Sequence, residues 1–291
     1  MAGHYHRPSE PLPPKTFAKP DDEFFQAAKK MPTSSPSFGD LEYWNTRFTK
    51  EENFEWLAGF SVLEPWLRRA IAERSGCKSR PQVLHIGCGS SALSLQLRNL
   101  VDSPKQIHNV DYSDVVIERN RQREDELLCS TAAERESCRW STLDLLSASQ
   151  ILDFGGSGYD VIIDKSTSDA ISCAADVSVR LPYHINTIGS SQLSCQTKAS
   201  VYPLDILAIH LAYLAEPGCS WIVLSYSASR FSHLKDEVAT EGLPRSSELW
   251  NLERHEKIEQ PPDPNDPVHR PPIMHHLYVL RRTDVQLSWH A

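Results

Sequence analysis

Short apolar runs recur along the chain from residue 83 onward, and amphipathic stretches separate them. Short apolar runs are typical of buried strands, whereas apolar residues three and four positions apart are typical of helices. The spacing of Phe60, Leu63, Leu67 and Ile71 predicts one helix before the first run. Strands are predicted at residues 83–86, 107–110, Trp140 with Leu143, 161–163, 222–224 and 277–280. This alternation predicts an α/β fold, a mostly parallel sheet with helices on both faces.

The first segment of the chain differs from the rest in composition. Residues 1–38 have no sustained apolar period and contain seven of the 20 prolines, which predicts a flexible tail. Residues 39–291 are predicted to form one domain, in which a helical segment at 39–80 precedes a Rossmann-like core at 81–291.

Two polar segments interrupt the pattern. Residues 187–200 are rich in Ser and Thr, which predicts a surface loop between a helix and a second helix that starts near Val201. Prolines crowd residues 261–272, and proline is excluded from central strands. We therefore expect a loop there, which links the last two strands as a long hairpin.

Composition and charge restrict the function. In 291 residues, 40% are hydrophobic and 23% are charged, enough for a core and an ordinary surface. The net charge of −8 repels polyanions, so no nucleic-acid partner is expected. The seven cysteines form no Cys-x-x-Cys pair, which indicates reduced thiols rather than a zinc site or a disulfide framework. No signal segment or membrane-length apolar run is present, so we expect a cytoplasmic monomer without a membrane partner.

A glycine turn follows the first predicted strand. Gly87-x-Gly89-x-x-Ala92 lies between that strand and an amphipathic stretch, the arrangement that cradles nucleotide-like cofactors. Glycine lets the backbone approach a ligand closely, because it has no side chain. The turn also fits the dinucleotide pattern, whose last position may be Ala. The turn alone therefore leaves the cofactor open.

Carboxylates follow three predicted strands, at Asp111, Asp144 and Asp164. Asp111 lies roughly 20 residues past the turn, where an acid accepts hydrogen bonds from a ribose diol. Asp144 is placed to accept from the exocyclic amine of adenine. Asp164 and Lys165 end a strand near the sheet centre, where open α/β sheets bind ligands. A helix N-cap is the alternative role for any single one of these acids.

These motifs in this order resemble the seven-strand methyltransferases that use S-adenosylmethionine. Within them, the resemblance is to the branch that contains lysine methyltransferases of elongation factor 1-alpha and of citrate synthase. The similar segments are GCGSSALS at 87–94, VDYSDVVI at 110–117, DKSTSDA at 164–170, YWNTRF at 43–48, FEW at 54–56 and HHLYVL at 275–280. The resemblance implies a Rossmann-like sheet of seven strands, mostly parallel, with an antiparallel last strand.

The resemblance also implies roles for individual residues. The turn would pass under the methionine end of the cofactor, with Lys165 at that end, and an aromatic motif near the N-terminus would close over the cofactor. For Trp44 and Trp56, packing in the core is the alternative. The cofactor-binding residues implied in this way are Trp44, Phe48, Trp56, Gly87, Gly89, Asp111, Tyr112, Asp144, Leu145 and Lys165.

One residue is predicted to act on the methyl acceptor. Asp164 is expected to orient an acceptor amine, although binding to the cofactor's amino group or to Lys165 is an equal alternative. His85 is expected to pack rather than to act in catalysis. The chain departs from the family at Ser90, where Asn is usual, and at Ser166, where Gly is usual. If residue 166 has a positive φ, Ser costs about 1 kcal/mol there.

Three functions remain open. The first is a protein lysine methyltransferase that acts on a substrate like elongation factor 1-alpha, and the second is a methyltransferase of small molecules. The third is a non-catalytic relative that binds a cofactor or a partner. A nicotinamide-dependent reductase lacks support because the chain has no Tyr-x-x-x-Lys pair. No metal site is evident, because His275 and His276 alternate across a strand.

Overall fold

The computed structural model of the chain describes residues 37–76, 80–129, 136–155, 158–189, 196–235, 240–260 and 272–290. The predicted tail therefore lies almost entirely outside the described residues, as do nearly all residues of the proline-rich segment at 261–272. All statements below concern the described part of the chain.

Seven of the described strands form one sheet, in the order β3-β2-β1-β4-β8-β10-β9. Neighbouring strands are parallel, except that β10 is antiparallel to both β8 and β9. The predicted fold class is confirmed, including the terminal hairpin of β9 and β10. The seven strands are β1 (Val83–Ile86), β2 (Ile107–Asp111), β3 (Arg139–Thr142), β4 (Tyr159–Lys165), β8 (Ala215–Ser225), β9 (Trp250–Gln260) and β10 (Ile273–Arg282).

Helices cover both faces of this sheet, as predicted. One apolar cluster joins one face to α2 and α3, and a second joins the other face to α5, α6 and α7. Short 3-10 turns occupy Leu97–Leu100, Pro104–Gln106 and Ser232–Lys235. The helices are α1 (Leu41–Phe48), α2 (Phe60–Ser75), α3 (Leu93–Gln96), α4 (Asp114–Cys129), α5 (Ala148–Phe154), α6 (Thr167–Ile171), α7 (Pro203–Leu214) and α8 (Ser246–Leu249).

The strand order reverses at β1, which pairs with β2 on one side and with β4 on the other. Ligands of open α/β sheets bind outside the carboxyl ends of the strands at such a reversal. The glycine turn after β1 and the polar residues that end β2 and β4 therefore meet at one edge of the sheet.

The prediction for residues 187–200 is wrong in part. Strand β7 (Thr197–Val201) pairs antiparallel with β5 (Val177–Leu181), and β6 (Ile185–Thr187) pairs with β11 (Leu287–Trp289). Strands therefore precede the loop where a helix was expected, and residues 190–195 lie outside the described residues. Antiparallel pairing satisfies the backbone groups of a polar segment, so the segment needs no apolar run to form a strand. The following helix, α7, begins at Pro203, a favoured first helical residue.

Candidate active site

The glycine turn forms one wall of a cavity at the carboxyl edge of the sheet. Gly87 and Gly89 have φ values of +51° and +50°, which glycine adopts without strain. A Cβ at Gly87 would overlap Thr167, whose hydroxyl donates to the Ile86 carbonyl at 2.9 Å. A Cβ at Gly89 would approach the Phe48 ring at 3.8 Å. The packing of α6 therefore requires the first glycine, and the positive φ favours glycine at the second.

Asp111 ends β2 beside this turn, and its side chain is almost completely buried. Its two oxygens accept from the backbone N–H groups of Gly89 and Ser113, both at 3.0 Å. Burial raises the pKa of Asp111 to about 6, although these hydrogen bonds act in the opposite direction. No cation among the described residues compensates this charge. A buried carboxylate with free acceptor capacity suits the hydroxyl donors of a ribose.

Two further strand-end residues, Asp144 and Leu145, line the cavity next to Tyr112. Asp144 accepts from the Leu146 N–H at 2.9 Å through one oxygen, and its own N–H donates to Gln150 at 2.9 Å. Because these bonds fix the loop after β3, the second carboxylate oxygen has a defined position for a polar ligand atom.

Aromatic side chains of residues 37–58, here termed the N-terminal strap, form the opposite wall. The rings of Trp44 and Phe48 stack with centroids 5.4 Å apart, and Trp56 contacts Trp44 edge-on at 6.1 Å. The Arg47 guanidinium lies 4.8 Å from the Trp56 centroid, within cation–π range. All three aromatic residues line the cavity, and Trp44 and Phe48 also pack in a small core of their own. Cavity lining and core packing are thus combined here.

An ion pair between the buried Lys165 and the partly exposed Glu55 fastens the strap across the glycine turn. Lys165 Nζ contacts the carboxylate of Glu55 and donates to Ser91 Oγ at 3.0 Å. Glu55 also accepts from Ser91 Oγ at 2.8 Å and from the Ala92 N–H at 2.7 Å. Burial lowers the pKa of Lys165 against the effect of Glu55, whereas the Lys165 contact holds the pKa of Glu55 below its usual value despite burial. This Glu55–Lys165 latch was not predicted from the sequence, although Glu55 lies between two of the predicted aromatic residues.

Further bonds tie the strap to the core. Ser90 Oγ donates to Glu51 at 2.5 Å, and Ser113 Oγ donates to Asn45 at 2.6 Å. The strap and the turn therefore enclose a cavity of about 520 Å³, within the usual range of small-molecule sites. Every residue predicted to bind the cofactor lines this cavity: Trp44, Phe48, Trp56, Gly87, Gly89, Asp111, Tyr112, Asp144, Leu145 and Lys165.

Asp164, predicted to orient the methyl acceptor, does not line the cavity. Its side chain is fully buried, and Oδ1 accepts from the N–H groups of Thr167 at 2.9 Å and Ser168 at 3.2 Å. Burial raises its pKa to about 7. Consecutive strand residues point to opposite faces, and here Lys165 rather than Asp164 faces the cavity. In the structure Asp164 has the alternative role of capping a helix, here α6.

Ser166 has a φ of +70°, so the condition under which serine is strained at this position is met. The same turn brings Asp169 into the cavity wall. Asp169 accepts from Arg230 Nη2 at 2.7 Å, Ser225 Oγ at 2.5 Å, the Tyr226 N–H at 3.0 Å and Ser166 Oγ at 3.2 Å. Asp169, Tyr226 and Arg230 define what is called here the acceptor end. None of the three was predicted from the sequence, and only Asp169 lies in a segment that resembles the family.

Fold and site together define a Rossmann-like protein with a cavity for a nucleoside cofactor. S-adenosylmethionine fits its residues, because Asp111 offers a buried acceptor without a cation, Asp144 offers a fixed carboxylate and Lys165 supplies a cation beside the turn. Among the described residues, no group of metal-ligating side chains occurs and no helix is long and apolar enough to cross a membrane.

Comparison with known proteins identifies the family. A family model for a methyltransferase domain matches residues 78–188. Methyltransferase srdJ of Neurospora crassa is 32% identical over 214 residues, which span 74% of this chain and 77% of that protein. EEF1A lysine methyltransferase 4 of mouse is 25% identical over 69% of this chain and 67% of its own length. The human eEF1A lysine and N-terminal methyltransferase is 32% identical over 48% of this chain, which covers 18% of that longer protein.

This chain belongs to the class I methyltransferases that depend on S-adenosylmethionine. The predicted enzyme class and cofactor are thereby confirmed, and the dinucleotide alternative for the glycine turn is excluded. The contacts assigned to individual cofactor-binding residues stay predictions.

Proposed function

We propose that this enzyme methylates a lysine amine of a protein, and that elongation factor 1-alpha is the first substrate to test. Two of the relatives described above are named for lysine methylation of that factor. The electrostatics of the acceptor end agree with an amine acceptor.

A lysine must lose its proton before it attacks a methyl group. With a pKa near 10.4, reaching the neutral amine near pH 7.4 requires about 4 kcal/mol. A free carboxylate beside the amine would raise its pKa and increase this requirement. At the acceptor end, the Asp169 carboxylate is paired with Arg230 and takes three further hydrogen bonds. This pairing is the observation that carries the proposal, because it leaves that carboxylate neutralised where the amine would enter.

The cofactor supplies a methyl group already activated on a sulfonium, so the protein's task is alignment. Asp111 and Asp144 hold the nucleoside, and the turn at Gly87 and Gly89 bounds the methionine end. The N-terminal strap excludes water, which strengthens the effect of a nearby sulfonium on the pKa of an amine. The amine would lose its proton to bulk water before it enters the cavity, so methyl transfer requires no acidic or basic side chain beyond those that bind.

Methyl-labelled S-adenosylmethionine tests this proposal. The full chain is incubated with purified elongation factor 1-alpha and, separately, with an extract that contains it, and mass spectrometry locates any methylated residue. We expect label on a lysine of that factor, and no label with Asp111→Ala. A labelled lysine on another protein would support lysine methylation and identify that protein, rather than elongation factor 1-alpha, as the substrate. Label confined to small molecules would refute the proposal.

A second acceptor class has one observation in its favour. The guanidinium of Arg230 lines the acceptor end, together with aromatic and aliphatic side chains such as Tyr226 and Ile171. The guanidinium has more N–H donors than its pair with Asp169 uses, and these can bind an anionic oxygen, so a small phenol or carboxylic acid is the alternative acceptor. The small-molecule fraction of the labelled extract tests it directly, since this alternative places all label there.

A further inference from the structure

A buried histidine connects the loop after β3 to the segment between α6 and α7. His210 lies in the apolar helix α7 and is fully buried. Its Nδ1 is 2.6 Å from the Leu145 carbonyl oxygen, and its Nε2 is 2.7 Å from the hydroxyl of Tyr183. Tyr183 is itself buried, in the segment between β5 and β6. The two hydrogen bonds form a chain from Tyr183 through His210 to Leu145.

The direction of both hydrogen bonds follows from the groups involved. A carbonyl oxygen only accepts, so Nδ1 of His210 carries the proton. A neutral imidazole then has a bare Nε2, to which the Tyr183 hydroxyl donates. Burial lowers the pKa of His210 to about 4 and raises that of Tyr183 to about 12, so both groups are neutral at physiological pH. The donor and the acceptor of each hydrogen bond in this chain are therefore fixed.

This chain of bonds ends on the loop that was predicted to hold adenine. Leu145 lines the cavity, and its neighbour Leu146 donates to the Asp144 carboxylate at 2.9 Å. Displacement of the Leu145 carbonyl would therefore shift the carboxylate that faces the exocyclic amine. We infer that His210 and Tyr183 are positioning residues, which hold Asp144 and Leu145 in register with the adenine of the cofactor. This inference rests on the predicted adenine contacts of those two residues and is independent of the methyl acceptor.

The sheet contains a second pair that serves as a matched control. His108 Nδ1 is 2.6 Å from the hydroxyl of Tyr159, and His108 Nε2 is 2.8 Å from Ser141 Oγ. Burial lowers the pKa of His108 to about 4, as for His210. Neither His108 nor Tyr159 lines the cavity. Removal of the Tyr159 hydroxyl therefore disturbs a similar, partly buried hydrogen bond between tyrosine and histidine that does not lead to Leu145.

The experiment measures recognition of the adenine amine rather than activity. Dissociation constants of S-adenosylhomocysteine and of its inosine analogue, whose amine is replaced by a carbonyl, are measured by calorimetry on the full chain. The variants are Tyr183→Phe, His210→Leu, His210→Asn and the control Tyr159→Phe. Asparagine places an N–H donor close to the position of histidine Nδ1, so His210→Asn retains the bond to Leu145 that leucine removes. Thermal unfolding of each variant is recorded in parallel.

We expect the wild-type protein to prefer the adenine ligand by about tenfold or more, as one hydrogen bond to a carboxylate predicts. Tyr183→Phe, His210→Leu and His210→Asn all lose the bond between residues 183 and 210, so each reduces that preference to about threefold or less, whereas Tyr159→Phe retains it. Both tyrosine variants lower the unfolding temperature by several degrees, since both lose a hydrogen bond to histidine.

Three outcomes would overturn the inference. In one, Tyr183→Phe keeps the full preference while its unfolding temperature falls as in Tyr159→Phe, which makes the pair structural only. In another, Tyr159→Phe loses the preference equally. In the last, the wild-type protein shows no preference, and the adenine contact of Asp144 is itself absent. If His210→Leu fails to fold, Tyr183→Phe and His210→Asn still decide. Failure of the lysine proposal would leave all these ratios unchanged, because no acceptor is present.

Discussion

Replacement of Asp164 by asparagine separates its two assigned roles, amine orientation and helix capping. The side chain is fully buried, and one oxygen accepts from two N–H groups at the start of α6. Its other oxygen, Oδ2, has no hydrogen-bond partner among the described residues. Asparagine keeps a carbonyl oxygen for the N–H groups and carries no charge. If capping is the whole role, Asp164→Asn folds and retains methyl transfer.

The magnitude follows from the pKa of Asp164, which burial raises to about 7 in the folded protein from an ordinary 3.8. Between these values the folded state binds a proton that the unfolded state has lost. The free energy of unfolding therefore falls by about 1.4 kcal/mol per pH unit as pH rises, and this loss stops above the folded pKa. From pH 5 to pH 8 the loss is roughly 2.6 kcal/mol. The asparagine variant lacks this loss, so its stability relative to wild type rises by that amount.

Urea unfolding at pH 5 and pH 8, followed by tryptophan fluorescence, measures this difference. All other titrating groups are shared and cancel in the comparison of the two proteins. Asp125→Asn, at an exposed position of α4, is the control and is expected to follow the wild-type pH profile. Parallel profiles for wild type and Asp164→Asn would refute the burial argument. If Asp164→Asn is stable but does not transfer methyl groups, Asp164 acts on the methyl acceptor and is more than a helix cap.

Three further changes test the cofactor site and the turn beside it. Asp111→Asn should weaken S-adenosylmethionine binding by about 10–100-fold. Calorimetry should show that the wild-type protein loses affinity when it is acidified through pH 6 and that the variant does not. The same loss in the variant would exclude Asp111 as its source. Glu55→Gln should break the Glu55–Lys165 latch and accelerate hydrogen exchange of the strap amides about tenfold. Exchange rates equal to those of the exposed control Glu52→Gln would show that the latch does not hold the strap. Ser166→Ala should lower the free energy of unfolding by about 1 kcal/mol, whereas Ser166→Gly should keep it within about 0.5 kcal/mol of the wild-type value. Equal effects of the two changes in urea unfolding would contradict the assignment of strain to residue 166.

The central strands and the cofactor edge were predictable because local pattern dictates them. β1 coincides with its apolar run at 83–86, and Asp111 ends β2 as expected. Parallel strands buried on both faces read as continuous apolar runs, so the signal is strong. Acids that follow such strands converge on one edge regardless of loop detail. The sequence therefore placed Asp111 and Asp144 correctly in the cavity wall.

Contacts between distant segments were not predictable from pattern. The partner of Lys165 is Glu55, 110 positions away, and nothing in the strap indicates which acid would reach the turn. Strand β7 at 197–201 is polar and half exposed, so it has no apolar period to reveal it. The position of Asp164 outside the cavity agrees with the alternation of strand side chains, because Lys165, the next residue, faces the cavity.

The peptide 164–169 sets both halves of the active site, which accounts for serine at a position that favours glycine. Asp164 starts α6 from one face of the sheet, Lys165 fastens the strap from the other, and a left-handed residue at 166 turns the chain between them. That conformation costs a serine about 1 kcal/mol relative to glycine. The Ser166 hydroxyl returns a similar amount by donating to Asp169 at 3.2 Å, a bond that glycine cannot make. Asp169 also binds Arg230, so the hydrogen bond from Ser166 that offsets the strain at residue 166 also helps to fix both side chains of the acceptor end.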